Sequence, residues 1–315
     1  MPDIFVTRRL PAAVLAKLRE VGSVDLYDAA ATPLSAEELR RRVADKDALV
    51  CMLTESIDRS VLAAAPRLRI VANVAVGYNN IDVAAARERG VTVTNTPDVL
   101  TDSVADFTWA MMLAISRRLC EGDRLVRRGA WTGWGFDFML GTELRGKRLG
   151  IVGMGRIGRA VAARAPVFGM RVACTSHRQQ DVPGAEPMPL DRLLNASDVV
   201  SVHVPLTPGT KHLIDRKALA KMKRSAYLVN TARGPVVDEA ALAWALQERL
   251  IAGAALDVYE HEPAVHPDLM TLENVLLVPH LASATVETRT GMADLAARNV
   301  VDVLSGRPPI TPVVA

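Results

Sequence analysis

Six mid-chain residues, Gly153-Met154-Gly155-Arg156-Ile157-Gly158, carry three glycines at the spacing a backbone needs to wrap a pyrophosphate. An apolar run precedes them, and a stretch of helical spacing follows to about Phe168. The first glycine permits the tight turn, the second lets the backbone approach the phosphates, and the third lets helix and strand pack closely. The helix start then offers free N–H groups and the positive end of its dipole to an anion. A bare GxGxxG is a weak signal, because glycine-rich turns are common. The full strand–turn–helix–strand setting is what predicts a dinucleotide site here. Pro166 predicts that the helix ends or kinks near that residue.

About twenty residues beyond the glycines, a site for NAD usually has an acid that holds the ribose 2′-hydroxyl. The run here is Ala173-Cys174-Thr175-Ser176-His177-Arg178, without an acid. Ser176 can donate a hydrogen bond, and His177 and Arg178 can supply positive charge. Lack of a carboxylate removes its repulsion for a 2′-phosphate, with which Arg can pair through two bonds. The expected cofactor is therefore NADPH, with NADH as the alternative. An ordinary polar turn is the other reading of these residues.

Three further segments contain an arginine, a glutamate and a histidine: Asn230-Thr231-Ala232-Arg233-Gly234-Pro235, Asp257-Val258-Tyr259-Glu260-His261-Glu262-Pro263, and Pro279-His280-Leu281-Ala282-Ser283-Ala284-Thr285. Taken singly, each has an ordinary explanation as a surface charge, a turn acid before proline, or a histidine at a strand end. Each also falls at or just beyond the carboxyl end of a strand-like run, where α/β sheets place ligands. With the glycine loop, His203-Val204-Pro205-Leu206-Thr207, Val74 to Asp82 and Val104-Ala105-Asp106-Phe107-Thr108, they resemble the D-isomer-specific 2-hydroxyacid dehydrogenase family over nearly the whole chain. Within it the likeness is to glyoxylate/hydroxypyruvate reductases, carried by 96–102, Gly129-Ala130-Trp131 and 279–285. Departures are Ala232 in place of a common Ser and Leu281-Ala282 in place of a common Ile-Gly.

The resemblance implies that Arg233, Glu262 and His280 are catalytic. The chemistry suits these residue types. Arg233, permanently charged, can pair with the carboxylate of a 2-oxo acid and polarise its ketone. Hydride arriving at that carbon leaves negative charge on the oxygen, so a proton donor is needed, and an imidazolium serves near neutral pH. Glu262 can accept from the other ring nitrogen and fix the tautomer, as the acid does in a Ser-His-Asp triad. By the same resemblance the backbone at Val76 and Gly77 receives the substrate carboxylate, and Leu53 lines its pocket. Asp257 holds the nicotinamide carboxamide, Val204, Pro205, Thr231 and Ala282 line the cofactor site, and Trp134 reaches a partner subunit's active site. Simple dimer packing is the alternative for Trp134. His203 reads as structural or cofactor-adjacent, and no histidine has metal-ligand spacing.

These residues need elements to hold them. Short apolar runs at 4–6, 48–53, 70–74 and 91–93 alternate with helical spacing at 11–21 and 35–44, where Ser35 and Glu38 form a candidate capping box. A long helical stretch occupies 101–128. Six more strand candidates follow, at 149–152, 171–174, 199–204, 226–230, 253–256 and 275–278, and a last helix spans 285–304. The reading is an α/β protein of two Rossmann- or flavodoxin-like domains with parallel sheets and the active site in the interdomain cleft. The discontinuous substrate domain takes 1–98 and 287–315, and the dinucleotide domain takes 99–286. The 315 residues, half apolar, suffice for two cores. A formal charge of +3 from 38 basic and 35 acidic residues argues against a nucleic-acid partner. No apolar stretch approaches the roughly 20 residues of a membrane span. Three scattered cysteines and an N-terminus without a signal-peptide pattern point to the cytoplasm. The expected partners are a small 2-oxo acid and a second copy of the chain. Alternatives are another dehydrogenase of the family acting on a different acid, or a dinucleotide-sensing binding protein of the corepressor type.

Overall fold

In the computed structural model, which describes residues 1–28, 34–176 and 182–313, the chain divides into two compact units: Met1–Leu100 with Thr285–Ala315, and Thr101–Ala284. The first begins with β1 (Asp3–Val6), α1 (Ala12–Val21), β2 (Ser23–Leu26), α2 (Ala36–Val43) and β3 (Ala48–Cys51). It continues through α3 (Arg59–Ala64), β4 (Ile70–Asn73), α4 (Val83–Glu88) and β5 (Thr92–Thr94). The strands form one sheet in the order β2-β1-β3-β4-β5, every pair parallel. β3 and β4 are buried along their whole length, as expected for strands covered on both faces. Asp58 and Asp82 cap α3 and α4. Ser35 caps α2 by accepting from the Glu38 N–H at 3.1 Å. The Glu38 carboxylate pairs with Arg41 and Arg42, so the ion pairs take the acid that a full capping box requires.

The second unit opens with α5 (Thr101–Ser116) and α6 (Leu119–Arg127), then β6 (Arg148–Val152), α7 (Arg156–Arg164), β7 (Arg171–Thr175) and β8 (Ala185–Pro187). It goes on through α8 (Leu190–Ala196), β9 (Val199–Val202), α9 (Arg216–Lys221), β10 (Tyr227–Asn230), α10 (Glu239–Gln247), β11 (Gly253–Leu256), α11 (Pro267–Met270) and β12 (Val275–Leu277). Its parallel sheet runs β12-β11-β10-β9-β6-β7-β8. The chain moves outward from β6 to β8, then returns to place β9 on the other side of β6. That reversal creates a switch point at the carboxyl ends of β6 and β9, where doubly wound sheets bind ligands.

One helical expectation is corrected and another is met. The stretch 101–128 is two helices, because Arg118 adopts a left-handed conformation with φ of 53° and the Thr142 N–H takes the Ser116 carbonyl at 2.7 Å. α5 contributes eight buried residues, whereas α6 has none. As Pro166 predicts, the helix after the glycine loop stops at Arg164 and tightens to a 3₁₀ turn over Ala165–Phe168, which accommodates the proline near its start. The chain then rejoins the first unit through α12 (Val286–Leu304), whose Ala293, Ala296, Ala297 and Val300 pack with Ile4, Val6, Leu18, Val50 and Ala72.

Candidate active site

Gly153 follows β6 with φ of 102°, a conformation that side-chain-bearing residues avoid. A Cβ there would lie 2.7 Å from the His203 carbonyl carbon and oxygen, so β6 and β9 meet closely at the switch point. A Cβ on Gly158 would stand 2.1 Å from the Gly153 carbonyl oxygen. The first turn of α7 thus rests directly on the loop. Gly155 is exposed, and a Cβ on it would meet nothing within 4 Å. The loop is therefore packed on its inner side and open at its middle glycine and helix start, a shape that fits the pyrophosphate of a dinucleotide. Arg156 is exposed and Ile157 half-buried beside it, and Ser176 is exposed beyond β7. His177 and Arg178 lie outside the described residues.

Along the same sheet edge, β9 is followed by His203, whose Nε2 lies 2.8 Å from Ser201 Oγ and whose burial lowers the imidazole to about 4. Val204 is half-buried and Pro205 exposed. After β10, Thr231 is buried with its Oγ1 3.0 Å from Thr108 Oγ1. Asn230 accepts from the Ala232 N–H at 3.0 Å and donates to the Arg233 carbonyl at 3.0 Å. This turn presents Arg233, whose Nη1 donates to the Ala232 carbonyl at 2.7 Å. Burial lowers the Arg233 pKa, and the charge of Glu262 opposes that shift.

β11 leads to Asp257, which is fully buried. Its Oδ1 accepts from the Leu281 N–H at 2.6 Å and its Oδ2 from the Ala282 N–H at 3.0 Å, while its carbonyl accepts from the His280 N–H at 2.9 Å. Asp257 therefore braces the turn that carries His280, itself held at φ of 53°. Burial raises the Asp257 carboxyl despite those two N–H bonds. A contact to a carboxamide would fall to the lone pairs they leave. His280 Nδ1 faces Glu262 Oε2 at 3.0 Å, and Glu262 Oε1 accepts from the Tyr259 N–H at 3.1 Å. Burial alone would raise the Glu262 carboxyl. The His280 hydrogen bond and the charges of His280 and Arg233 outweigh it and hold the group below its ordinary range. Arginine, glutamate and histidine, separated by up to 47 positions, thus act on one another electrostatically at the carboxyl edge of one sheet.

In the first unit, Val76 and Gly77 follow β4. Asn95 Nδ2 donates to the Val76 carbonyl at 2.8 Å and Asn73 Nδ2 to the Gly77 carbonyl at 2.9 Å. Among the described residues neither backbone N–H has an acceptor. Two adjacent, immobilised N–H donors are the makings of an anion cradle. Leu53 is exposed just beyond β3.

Residues 109–282 match the model of the D-isomer specific 2-hydroxyacid dehydrogenase NAD binding domain. The chain belongs to the D-isomer-specific 2-hydroxyacid dehydrogenase family. It is 52% identical to a glyoxylate reductase of Korarchaeum cryptofilum, over 98% of this chain and 94% of that one. It is 49% identical to a glyoxylate reductase of Thermofilum pendens, over 98% and 93%. The NADPH-dependent glyoxylate/hydroxypyruvate reductase of Sinorhizobium meliloti, solved with NADP and malonate, superposes with a TM-score of 0.89 at 36% identity, covering 99% of this chain and 97% of that one. The chain is accordingly an oxidoreductase with a nicotinamide dinucleotide cofactor.

Within this dehydrogenase, Trp134 lies in the segment between α6 and β6. It is 84% exposed and lines a groove of about 780 Å³ with Arg118, Glu121, Leu125 and Arg128. Sequence reasoning missed Glu239 and Glu260, which tie down the loop bearing Glu262. An acid at a helix start and another in the loop after β11 carry no distinguishing spacing. Asn73 and Asn95 were missed as well, because their role is visible only once β4 and β5 bring them to the 76–77 turn. No helix among the described residues is long and apolar enough to cross a membrane.

Proposed function

We propose that this chain reduces a small 2-oxo acid, glyoxylate or hydroxypyruvate, to the D-2-hydroxy acid, with NADPH as the hydride donor. The observation that carries the proposal is the 3.0 Å contact between His280 Nδ1 and Glu262 Oε2 beside Arg233. With Nδ1 directed to the carboxylate, Nε2 is the atom that gives a proton to the ketone oxygen, and the same atom receives it in the oxidative direction. Arg233 polarises the ketone and offsets the charge that develops on its oxygen. The paired N–H groups of Val76 and Gly77 bind the carboxylate, and Leu53 shapes the surroundings of the substituent on the carbonyl carbon. A bound reduced nicotinamide supplies the hydride to that carbon. The chain's own part in holding the dinucleotide falls to Gly153, Gly155, Arg156, Ile157 and Gly158 at the pyrophosphate and Ser176, His177 and Arg178 at the ribose. Val204, Pro205, Thr231, Asp257 and Ala282 surround the nicotinamide end. The discontinuous unit takes the substrate role and the 101–284 unit the dinucleotide role. The protein works as a homodimer.

The NADP-bound relative at 36% identity supports NADPH, as does the absence of an acid from 173–178. The test is kcat/KM for glyoxylate and hydroxypyruvate measured side by side with NADPH and NADH, for the native chain and for Arg178→Ala. Turnover is expected with both acids and a preference for NADPH that Arg178→Ala erodes. A preference for NADH, or equal losses for both cofactors in the variant, would refute the assignment at the ribose. A chain that binds NADPH but turns over neither acid would refute the reductase reading.

A further inference from the structure

We infer that Glu239 is a positioning residue for the Glu262–His280 pair, fixing the catalytic loop by gripping it on both sides of Glu262. The inference rests on the proposed roles of Glu262 and His280. Glu239 is the first residue of α10 and is only 5% exposed. Its Oε1 accepts from the Glu260 N–H at 2.5 Å and its Oε2 from the His266 N–H at 3.1 Å. One carboxylate therefore holds backbone two residues before Glu262 and four residues after it. The grip is reciprocal, because Glu260 Oε1 accepts from the Glu239 N–H at 2.9 Å. Glu260 Oε2 in turn lies 2.8 Å from His212 Nε2, so the arrangement is anchored to a third segment.

The helix does not need this carboxylate. Asp238 already caps α10 by accepting from the Ala241 N–H at 2.9 Å. A glutamate at the first helical position serves the dipole as well from an exposed rotamer. Instead it is turned inward, where removing a carboxylate from water is costly unless hydrogen bonds compensate. Those bonds all go to the loop that presents Glu262. On that loop Glu262 has one oxygen on the Tyr259 N–H and one on His280, while Tyr259 Oη donates to the Val278 carbonyl at 2.9 Å, just before the His280 turn. A shift of residues 260–266 therefore moves the carboxylate away from the imidazole, with the cofactor loop at 153–158 untouched.

The test is a double-mutant cycle between Glu239→Gln and Glu262→Gln, read as kcat with saturating NADPH and 2-oxo acid, together with the NADPH dissociation constant. Gln is nearly isosteric but turns an NH₂ toward one of the two N–H groups. Glu239→Gln is expected to lower kcat by about 10–100-fold, the scale on which misplacement of about 1 Å acts. The NADPH dissociation constant should not change. On the Glu262→Gln background the same substitution should have almost no further effect on kcat, because the group it positions is gone. An equal fractional loss in both backgrounds, or an unchanged kcat in the single variant, overturns the inference. If Glu239→Gln does not fold, Glu260→Gln enters the same cycle with the same two outcomes. A Glu262→Gln variant that keeps full kcat would instead sink the catalytic reading itself.

Discussion

In the proposed mechanism the Glu262 carboxylate decides which end of His280 does chemistry. An imidazole has two nitrogens, and a carboxylate 3.0 Å from Nδ1 holds a proton there, so the tautomer and ring direction are settled before substrate arrives. The pKa of Glu262 is held below the ordinary carboxylate range by that hydrogen bond and by the neighbouring cations, against the effect of burial. The anion therefore persists through the neutral range in which the enzyme would work. His280→Ala removes the donor but leaves Arg233 and the glycine loop in place. Its kcat should fall by about 10²–10⁴-fold, the usual contribution of a general acid, while fluorescence titration should give an unchanged NADPH affinity. Near-native turnover in that variant would remove His280 from the mechanism. The residue types of this group could be read from the sequence, because a guanidinium, an imidazole and a carboxylate each answer a need of 2-oxo acid reduction. What escaped is the support beneath them. Glu239 reads in sequence as a favourable acid at a helix start, and Asp257 as a ligand contact. The fold turns both toward backbone N–H groups of the loops that carry Glu262 and His280.

Among the elements, α7 and its loop show that three glycines in one motif do different physical work. A Cβ at Gly158 would fall 2.1 Å from a backbone oxygen, whereas one at Gly155 meets nothing within 4 Å. Gly158→Ala should force α7 away from the loop, a strain of about 1–3 kcal/mol by analogy with overpacked cores, and lower the melting temperature even without cofactor. Gly155→Ala should melt like the native chain but lose most of the stabilisation that added NADPH confers, since the methyl group stands where the pyrophosphate would approach. Thermal melts with and without NADPH check both, and a reversed pattern would assign the pyrophosphate elsewhere. The long buried strands could be read from sequence because strands covered on both faces are continuously apolar. Edge strands β2 and β8 were not, since Ser23–Leu26 is part-exposed and Ala185–Pro187 is three residues with a terminal proline. The break at Arg118 has no glycine or proline to announce it. It arises from the Thr142 N–H closing on the Ser116 carbonyl, a contact between residues 26 positions apart.

For the whole molecule, the exposed aromatic side chains of the 101–284 unit bear on assembly. Trp131, Trp134, Phe136 and Phe138 are 55%, 84%, 86% and 44% exposed, and Leu140 follows at 64%. α6 beneath them buries nothing and exposes Leu119 and Val126. Large apolar side chains exposed together along one short segment suit an interaction site, and aromatic side chains are what protein interfaces enrich. A second copy of the chain is the occupant proposed above. Sedimentation velocity at micromolar concentration should therefore report a dimer. Trp134→Ser combined with Phe136→Ser should shift it toward monomer, because the two side chains supply a large part of the apolar area a stable interface of at least about 1,000 Å² requires. The single variant Trp134→Ser separates two roles for that residue. If Trp134 only packs, the dimer weakens and KM for glyoxylate at a concentration that restores the dimer is native. If it reaches the partner's substrate, KM stays raised after the dimer is restored. A native chain that sediments as a monomer would exclude both roles and leave the aromatic surface to a different partner.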